Sequence, residues 1–320
     1  MAGTGSSVVV LVVVAAAIVG IVWGLAYWAW RAESDRSAIV GLYLALGFPA
    51  LFVAAIGLAV STTGGNPGFG VPLMLTGAGF ALPMVKRFRA LVARVTPLDP
   101  DSAADMVGLS LVLGLVAFLL AVAVGNRAVA PPAEIGSVSA VEVIVQNVAL
   151  VLVAFAAVGV GFRRTWAAAA ERLGLVPPTP RVIGGGLAGA VAALALLVVS
   201  GLVIQALQPG INRDLDQTVN QMTGQLQTPL GALLIGVAAG IGEESFFRGA
   251  LQPRLGIVLV SVFFALVHAP QYGLNLAILA LFAVSVVFGL VRNRYGTTAS
   301  IIAHALYNAL QLLALIATKS

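Results

Sequence analysis

The chain holds only two histidines, His268 and His304. Both stand in strongly apolar runs close to Glu243 and Glu244, the carboxylates that hydropathy places inside hydrophobic segments. An ionisable group at the centre of a membrane helix costs about 2.5 to 3.5 kcal/mol even on the lenient insertion scale, so such groups are functional candidates by default. On a helix Glu244 and Arg248 are i and i+4, in the favourable order of acid before base, and read as an internal ion pair. Glu243 is rotated by roughly 100° from them and is left for a cavity. Phe264 and His268 repeat the i, i+4 spacing, as do His304 and Asn308. A general base, imidazoles and an amide donor are what hydrolysis of a carbonyl compound requires. Taken singly, a membrane histidine or asparagine is as well explained by interhelical hydrogen bonding, and Phe264 by packing. Three polar faces encoded separately within one C-terminal stretch are hard to explain that way.

The elements that must position these groups are membrane helices. Of 320 residues 60% are hydrophobic and 9% charged, against roughly 25% charged in soluble domains, and the mean hydropathy is +1.05. The fold expected is all-α, a polytopic bundle of about 10 transmembrane helices, with eight to ten the acceptable range. Ten spans are read: Ser7 to Trp30, Ala38 to Val60, Phe69 to Val85, Met106 to Gly125, Val143 to Phe162, Ile183 to Leu207, Pro229 to Phe247, Gly256 to Pro270, Tyr272 to Val291 and Thr298 to Ala317. The third and eighth are short. The first reads as a retained span rather than a cleaved signal. A proline-bearing connection from Arg163 to Val182 divides an N-terminal region, 1–182, of about five spans and unknown role, from a C-terminal domain, 183–320.

With the amino terminus outside, Arg31, Arg36, Lys86, Arg87, Arg89, Arg94, Arg163, Arg164, Arg172, Arg181, Arg254, Arg292 and Arg294 fall on cytoplasmic connections. Only Arg127, Arg213 and Lys319 fall outside. The net charge of +5 is therefore a topology signal, with no nucleic-acid patch. The expectation is an integral protein of the plasma (inner) membrane with a site open toward the cytoplasm. Lys86 to Val95 reads as an interfacial anchor, and Gln208 to Thr228 as an interfacial helix or a lid over a substrate entrance. Gly184, Gly186 and Gly189 fit G-x-G-x-x-G but follow no strand, so close helix packing through Gly185 and Gly189 is the better account. Cysteine is absent, which removes disulfides and cysteine-held metal.

Glu243-Glu244-x-x-x-Arg248, Phe264-x-x-x-His268 and His304-x-x-x-Asn308, in this order on successive apolar segments, resemble the three signature motifs of the CPBP intramembrane proteases. This is the family of CAAX-processing endoproteases and bacteriocin-processing or immunity proteins. The resemblance covers roughly Ile183 to Ala317. It implies that Glu243 and His268 activate water, that His304 and Asn308 stabilise the oxyanion or bind a ligand, and that Glu244, Arg248 and Phe264 support them. It implies as substrate a membrane-associated peptide or protein, lipidated or not. For the cofactor it leaves two forms: a divalent metal, zinc held by Glu243, His268 and His304, or a metal-free glutamate mechanism, since H-E-x-x-H is missing. The rival readings are a proton-coupled transporter, which also carries membrane carboxylates and histidines, and a non-catalytic scaffold or immunity factor. Oligomeric state is not legible.

Overall fold

The computed structural model describes residues 2–63, 67–129 and 136–318. Lys319 and the side chain of Arg127 lie outside the described residues. Among those described, the backbone is helix and turn, with an isolated bridge between Val160 and Arg164. In chain order the helices are α1 (Ala2–Arg31), α2 (Arg36–Thr62), α3 (Pro67–Ala81), α4 (Lys86–Val92), α5 (Ala103–Val129), α6 (Ala140–Ala157) and α7 (Trp166–Arg172). They continue as α8 (Pro180–Leu207), α9 (Pro209–Thr223), α10 (Pro229–Glu244), a π-helical segment (Ser245–Leu251), α11 (Gln252–Val267), α12 (Ala269–Tyr272), α13 (Leu276–Tyr295) and α14 (Thr297–Ala317).

Among the described residues, eight helical stretches are long and apolar enough to cross a membrane, or nine if a bent pair is one span. This lies within the expected range of eight to ten, and the seventh and eighth expected spans are joined. They run together as one helical stretch, Pro229–Val267, broken by Gly256, whose φ of +77° is open to glycine but not to L side chains. The third span is the bent pair: its helix and α4 meet at 87°. Phe48, Leu51 and Leu44 on α2 and Val191 and Leu202 on α8 are largely exposed, as lipid-facing side chains are, and the chain is an integral membrane protein.

The chain forms two compact units interleaved in sequence. One comprises Met1–Gly24, Ile135–Pro253 and Ala280–Ser320; the other comprises Leu25–Glu134 and Arg254–Leu279. The boundary expected at residue 182 lies inside the first unit. There the Thr297 hydroxyl donates to the Leu173 carbonyl at 2.6 Å, and Thr298 hydrogen-bonds Val176. These contacts tie the connection before α8 to the start of α14.

In the first unit, α10 is packed at backbone distance. A Cβ added to Gly236 would stand 2.5 Å from the Ala305 carbonyl oxygen, and one on Gly240 2.8 Å from that of Ile301, both on α14. On another side, a Cβ on Gly242 would stand 2.4 Å from Asn147 Oδ1 of α6. On α8, Gly185 lies under the Tyr295 ring and Gly189 under Val291 and Ala303, the close packing read from the glycine pattern. α9 is helical as expected and precedes α10, so it adjoins the end of α10 remote from Glu243. Fourteen residues of helix separate Pro229 from Glu243, about 21 Å.

In the second unit, Arg89 is buried and donates to the carbonyls of Pro83, Met84 and Pro100. It satisfies acceptors left over at the α3–α4 bend, and it is not the headgroup-facing cation expected of an anchor. α5 and α6 each begin three residues earlier than hydropathy placed them. Asp105 consequently sits buried in the first turn of α5, paired with Arg254 and accepting from the Asp99 N–H at 2.8 Å. Glu142 closes a capping box with Ser139 at the start of α6.

Candidate active site

α10 ends in Glu243 and Glu244, and the following π-helical segment carries Arg248. π-segments inside helices are frequent at functional sites. Glu244 and Arg248 have no solvent exposure, and Arg248 Nε donates to Glu244 Oε2 at 3.1 Å. The internal ion pair expected from their spacing is present. The rest of the environment comes from α13 and α14: Ser300 Oγ lies 2.7 Å from the same carboxylate oxygen, and Arg248 Nη2 donates to Ser285 Oγ at 2.8 Å. The other carboxylate oxygen, Oε1, accepts from His304 Nδ1 at 2.8 Å.

Glu244 therefore does two jobs. It balances Arg248 and it orients His304. A ring nitrogen held by a carboxylate fixes the tautomer and leaves Nε2 as the nitrogen that can exchange a proton. Phe288 stacks on the imidazole, centroids 4.8 Å apart and planes 20° from parallel, and Tyr307 meets Phe288 edge-on. The ring is thus held on its face and at one nitrogen.

Glu243 is half-buried, one residue before Glu244 at the end of α10. Asn308, also half-buried, lies one turn beyond His304 on α14. Among the described residues no hydrogen bond holds either side chain, in contrast to the fully engaged Glu244. The first unit thus brings together Glu243, Glu244, Arg248, His304 and Asn308.

Phe264 and His268 belong to the second unit. Phe264 is buried, and His268 caps the short α12, just past the end of α11. Its Nδ1 hydrogen-bonds the Phe264 carbonyl at 2.8 Å, and its ring lies against Phe264 and stacks with Tyr272. His268, like His304, is held through Nδ1.

Within neither unit do three His, Asp or Glu side chains gather as metal ligands among the described residues. The first unit supplies at most the Glu243 carboxylate and one nitrogen of His304, because His304 Nδ1 and both Glu244 oxygens are engaged within the protein. This donor set does not by itself fit zinc, which takes three protein ligands in catalytic sites.

Four residues that support the site were not singled out by sequence. Gln252 continues the Glu244–Arg248 spacing by one further turn and donates to the Gly289 carbonyl and Asn293 Oδ1 at 3.0 and 2.8 Å. Ser300 stands one turn before His304 on α14. Extending both i, i+4 series would have found these two. Ser285 and Asn147 carry no such signal, being fixed by packing between helices distant in sequence.

The segment that carries these residues is similar in sequence to a known family. Residues 225–310 match the family model described as type II CAAX prenyl endopeptidase Rce1-like. The match bears out the resemblance read from the motifs and takes in every motif residue, from Glu243 to Asn308. The chain is an all-α membrane bundle with a segment that is similar to CAAX prenyl endopeptidases of this family model. No curated protein and no solved structure matches it.

Proposed function

We propose that the protein is an intramembrane endopeptidase that hydrolyses a peptide bond in a membrane-associated substrate. The observation that carries this reading is the division of labour between adjacent glutamates. Glu244 is consumed by Arg248, Ser300 and His304, while Glu243 is left half-buried beside them with no hydrogen bond holding it.

In the proposed reaction Glu243, with His268, takes a proton from water as its oxygen attacks the scissile carbonyl. His304, protonated at both nitrogens and oriented by Glu244 at Nδ1, donates its Nε2–H to the oxyanion that forms, as does the Asn308 amide. Collapse breaks the C–N bond, and the proton held by Glu243 passes to the leaving amine. Each proton removed from water is thereby accounted for. A donor fixed in advance, as His304 is, costs no reorganisation when charge develops, and one such donor is worth about 2.7 to 4 kcal/mol of barrier. No step is routed through a metal.

The basic connections favour a site opening toward the cytoplasm. A substrate tethered by lipid or by a helix would then enter laterally from the bilayer. The test is cleavage of a lipidated and unlipidated peptide panel by purified protein in nanodiscs, comparing wild type with Glu243→Ala and His304→Ala, each with and without chelator. Cleavage lost in both variants supports the reading, and loss on chelation assigns a metal. An effect that persists in Glu243→Ala at equal protein level supports the scaffold reading instead, and solute flux through reconstituted vesicles supports the transporter.

A further inference from the structure

In the second unit, the helix ending at Met84 and α4 meet at 87°. The first of these runs against two spanning helices. A Cβ added to Gly77 would meet the Ala50 carbonyl of α2, and one added to Gly79 the Leu113 carbonyl of α5. A helix at right angles to such a bundle lies along the bilayer surface and not through it. Arg89 fixes the angle. Its buried guanidinium takes the Pro83 and Met84 carbonyls at the bend and the Pro100 carbonyl on the connection to α5. Lys86 pairs with Asp101 of the same connection, so α4 is held from both sides.

The element held in this way has two faces. Phe88, Arg89, Val92 and Ala93 are buried or half-buried. Arg87, Ala90, Leu91 and Arg94 are exposed and stand at i, i+3, i+4 and i+7, one stripe of a helix that continues past Val92 through the Arg94 N–H to the Leu91 carbonyl. Two arginines about 10.5 Å apart along the axis thus flank an apolar side chain. Leu91 is 57% exposed and Val95, the next residue, 85%, a loss in water that hydrocarbon removes. Residues 82–98 contain no Asp or Glu. Of the acids just beyond, Asp101 holds Lys86 and Asp99 accepts the Asp101 N–H. Among the described residues no hydrogen bond or ion pair engages the guanidinium of Arg87 or Arg94.

We propose that α4 is a docking surface for anionic phospholipid in the leaflet at that end of α3, with Leu91 and Val95 at the acyl boundary and Arg87 and Arg94 on the headgroup phosphates. Charge complementarity and the right-angle bend select this occupant. Free cations on either side of an apolar residue, on a helix lying in the surface plane, match a layer of negative headgroups with hydrocarbon directly beneath it. Arg89, the third arginine of the segment, is spent on the bend and takes no part. The surface does not depend on the endopeptidase reading, and its test needs no activity.

The experiment reads the lipid beside α4 directly. The chain has no cysteine, so Ala90→Cys in the full-length protein carries a fluorescent label at a single known place on the exposed stripe. The protein is held in nanodiscs of equal parts phosphatidylglycerol and phosphatidylcholine, with one lipid or the other brominated in the upper acyl chain as quencher. Leu51→Cys, at a largely exposed position on α2, is the control. The expected result at Ala90→Cys is quenching by both lipids with a local preference of about fivefold for phosphatidylglycerol, the worth of one basic residue at an anionic surface. Adding Arg87→Gln and Arg94→Gln should bring the two lipids to parity, and Leu51→Cys should show parity throughout. A label at Ala90→Cys that neither lipid quenches puts α4 in water or under protein and overturns the docking. Equal quenching by the two lipids there overturns the headgroup assignment. A preference that survives loss of both arginines, or that is as large at Leu51→Cys, overturns the role given to Arg87 and Arg94.

Discussion

Glu244 Oε1 and His304 Nδ1 lie 2.8 Å apart although sixty residues separate them in sequence. This contact joins the end of α10 to the middle of α14 and makes the second glutamate of the pair the orienting partner of the histidine. Since Glu244 Oε2 also engages Arg248 and Ser300, one carboxylate holds three elements together.

Removing the Ser300 hydroxyl should test that linkage gently. A hydrogen bond to a charged group is worth about 1.5 to 3 kcal/mol. Ser300→Ala should lower stability by that order, measured by denaturation in mild detergent. It should also lower kcat more than it raises KM, because the Glu244 carboxylate loses a bond that fixes it under His304.

Breaking the buried ion pair should be far more damaging than replacing it. Either Glu244→Leu or Arg248→Met alone leaves an uncompensated buried charge and should cost about 3 to 5 kcal/mol. The double variant should recover most of that loss in a thermal-melt cycle while remaining inactive, since His304 has then lost its partner.

Packing at α10 should matter without any change in chemistry. Gly240→Val would place side-chain carbons against the Ile301 carbonyl and Ala305. Overpacking of this kind costs about 1 to 3 kcal/mol. Activity should fall at least tenfold with substrate binding retained, whereas Gly184→Val, at a position where a Cβ meets nothing within 4 Å, should be neutral in the same assay.

Outside the spans, the Asp35 carboxyl is held below its ordinary value of 3.8, first by the Ser37 hydroxyl and then by its N–H. A depressed folded value means that this N-cap stabilises α2 fully above about pH 4, and that the contribution fades as pH falls through the folded value. Ser37→Ala should move the Asp35 titration upward, read by carboxyl NMR.

Much of the site could be read along single helices, because i, i+4 spacing places Glu244 over Arg248 and His304 beside Asn308 whatever surrounds them. What crosses between helices could not. Nothing in the spacing of Glu244 and His304 announces their contact, and Ser285 looks like any small residue in an apolar run. The join between the seventh and eighth spans was hidden for a related reason. Hydropathy sees an apolar stretch from Pro229 to Val267 with a polar interruption, but the π-helical segment keeps the chain helical through Glu244 and Arg248 by pairing them, and the break falls at Gly256 instead. The bond from Thr297 to Leu173, which ties the connection before α8 to α14, is likewise invisible to composition.

The central claim is that adjacent glutamates differ in kind, Glu243 reacting and Glu244 supporting. The most direct measurement is cleavage rate together with thermal stability for Glu243→Gln and Glu244→Gln in the same nanodiscs. The account predicts that Glu243→Gln melts within about 0.5 kcal/mol of wild type, as substitutions away from buried networks do, yet loses at least about a hundredfold in rate, while Glu244→Gln loses both stability and rate. Wild-type cleavage by Glu243→Gln, or a destabilised Glu243→Gln beside an unaffected Glu244→Gln, would contradict it.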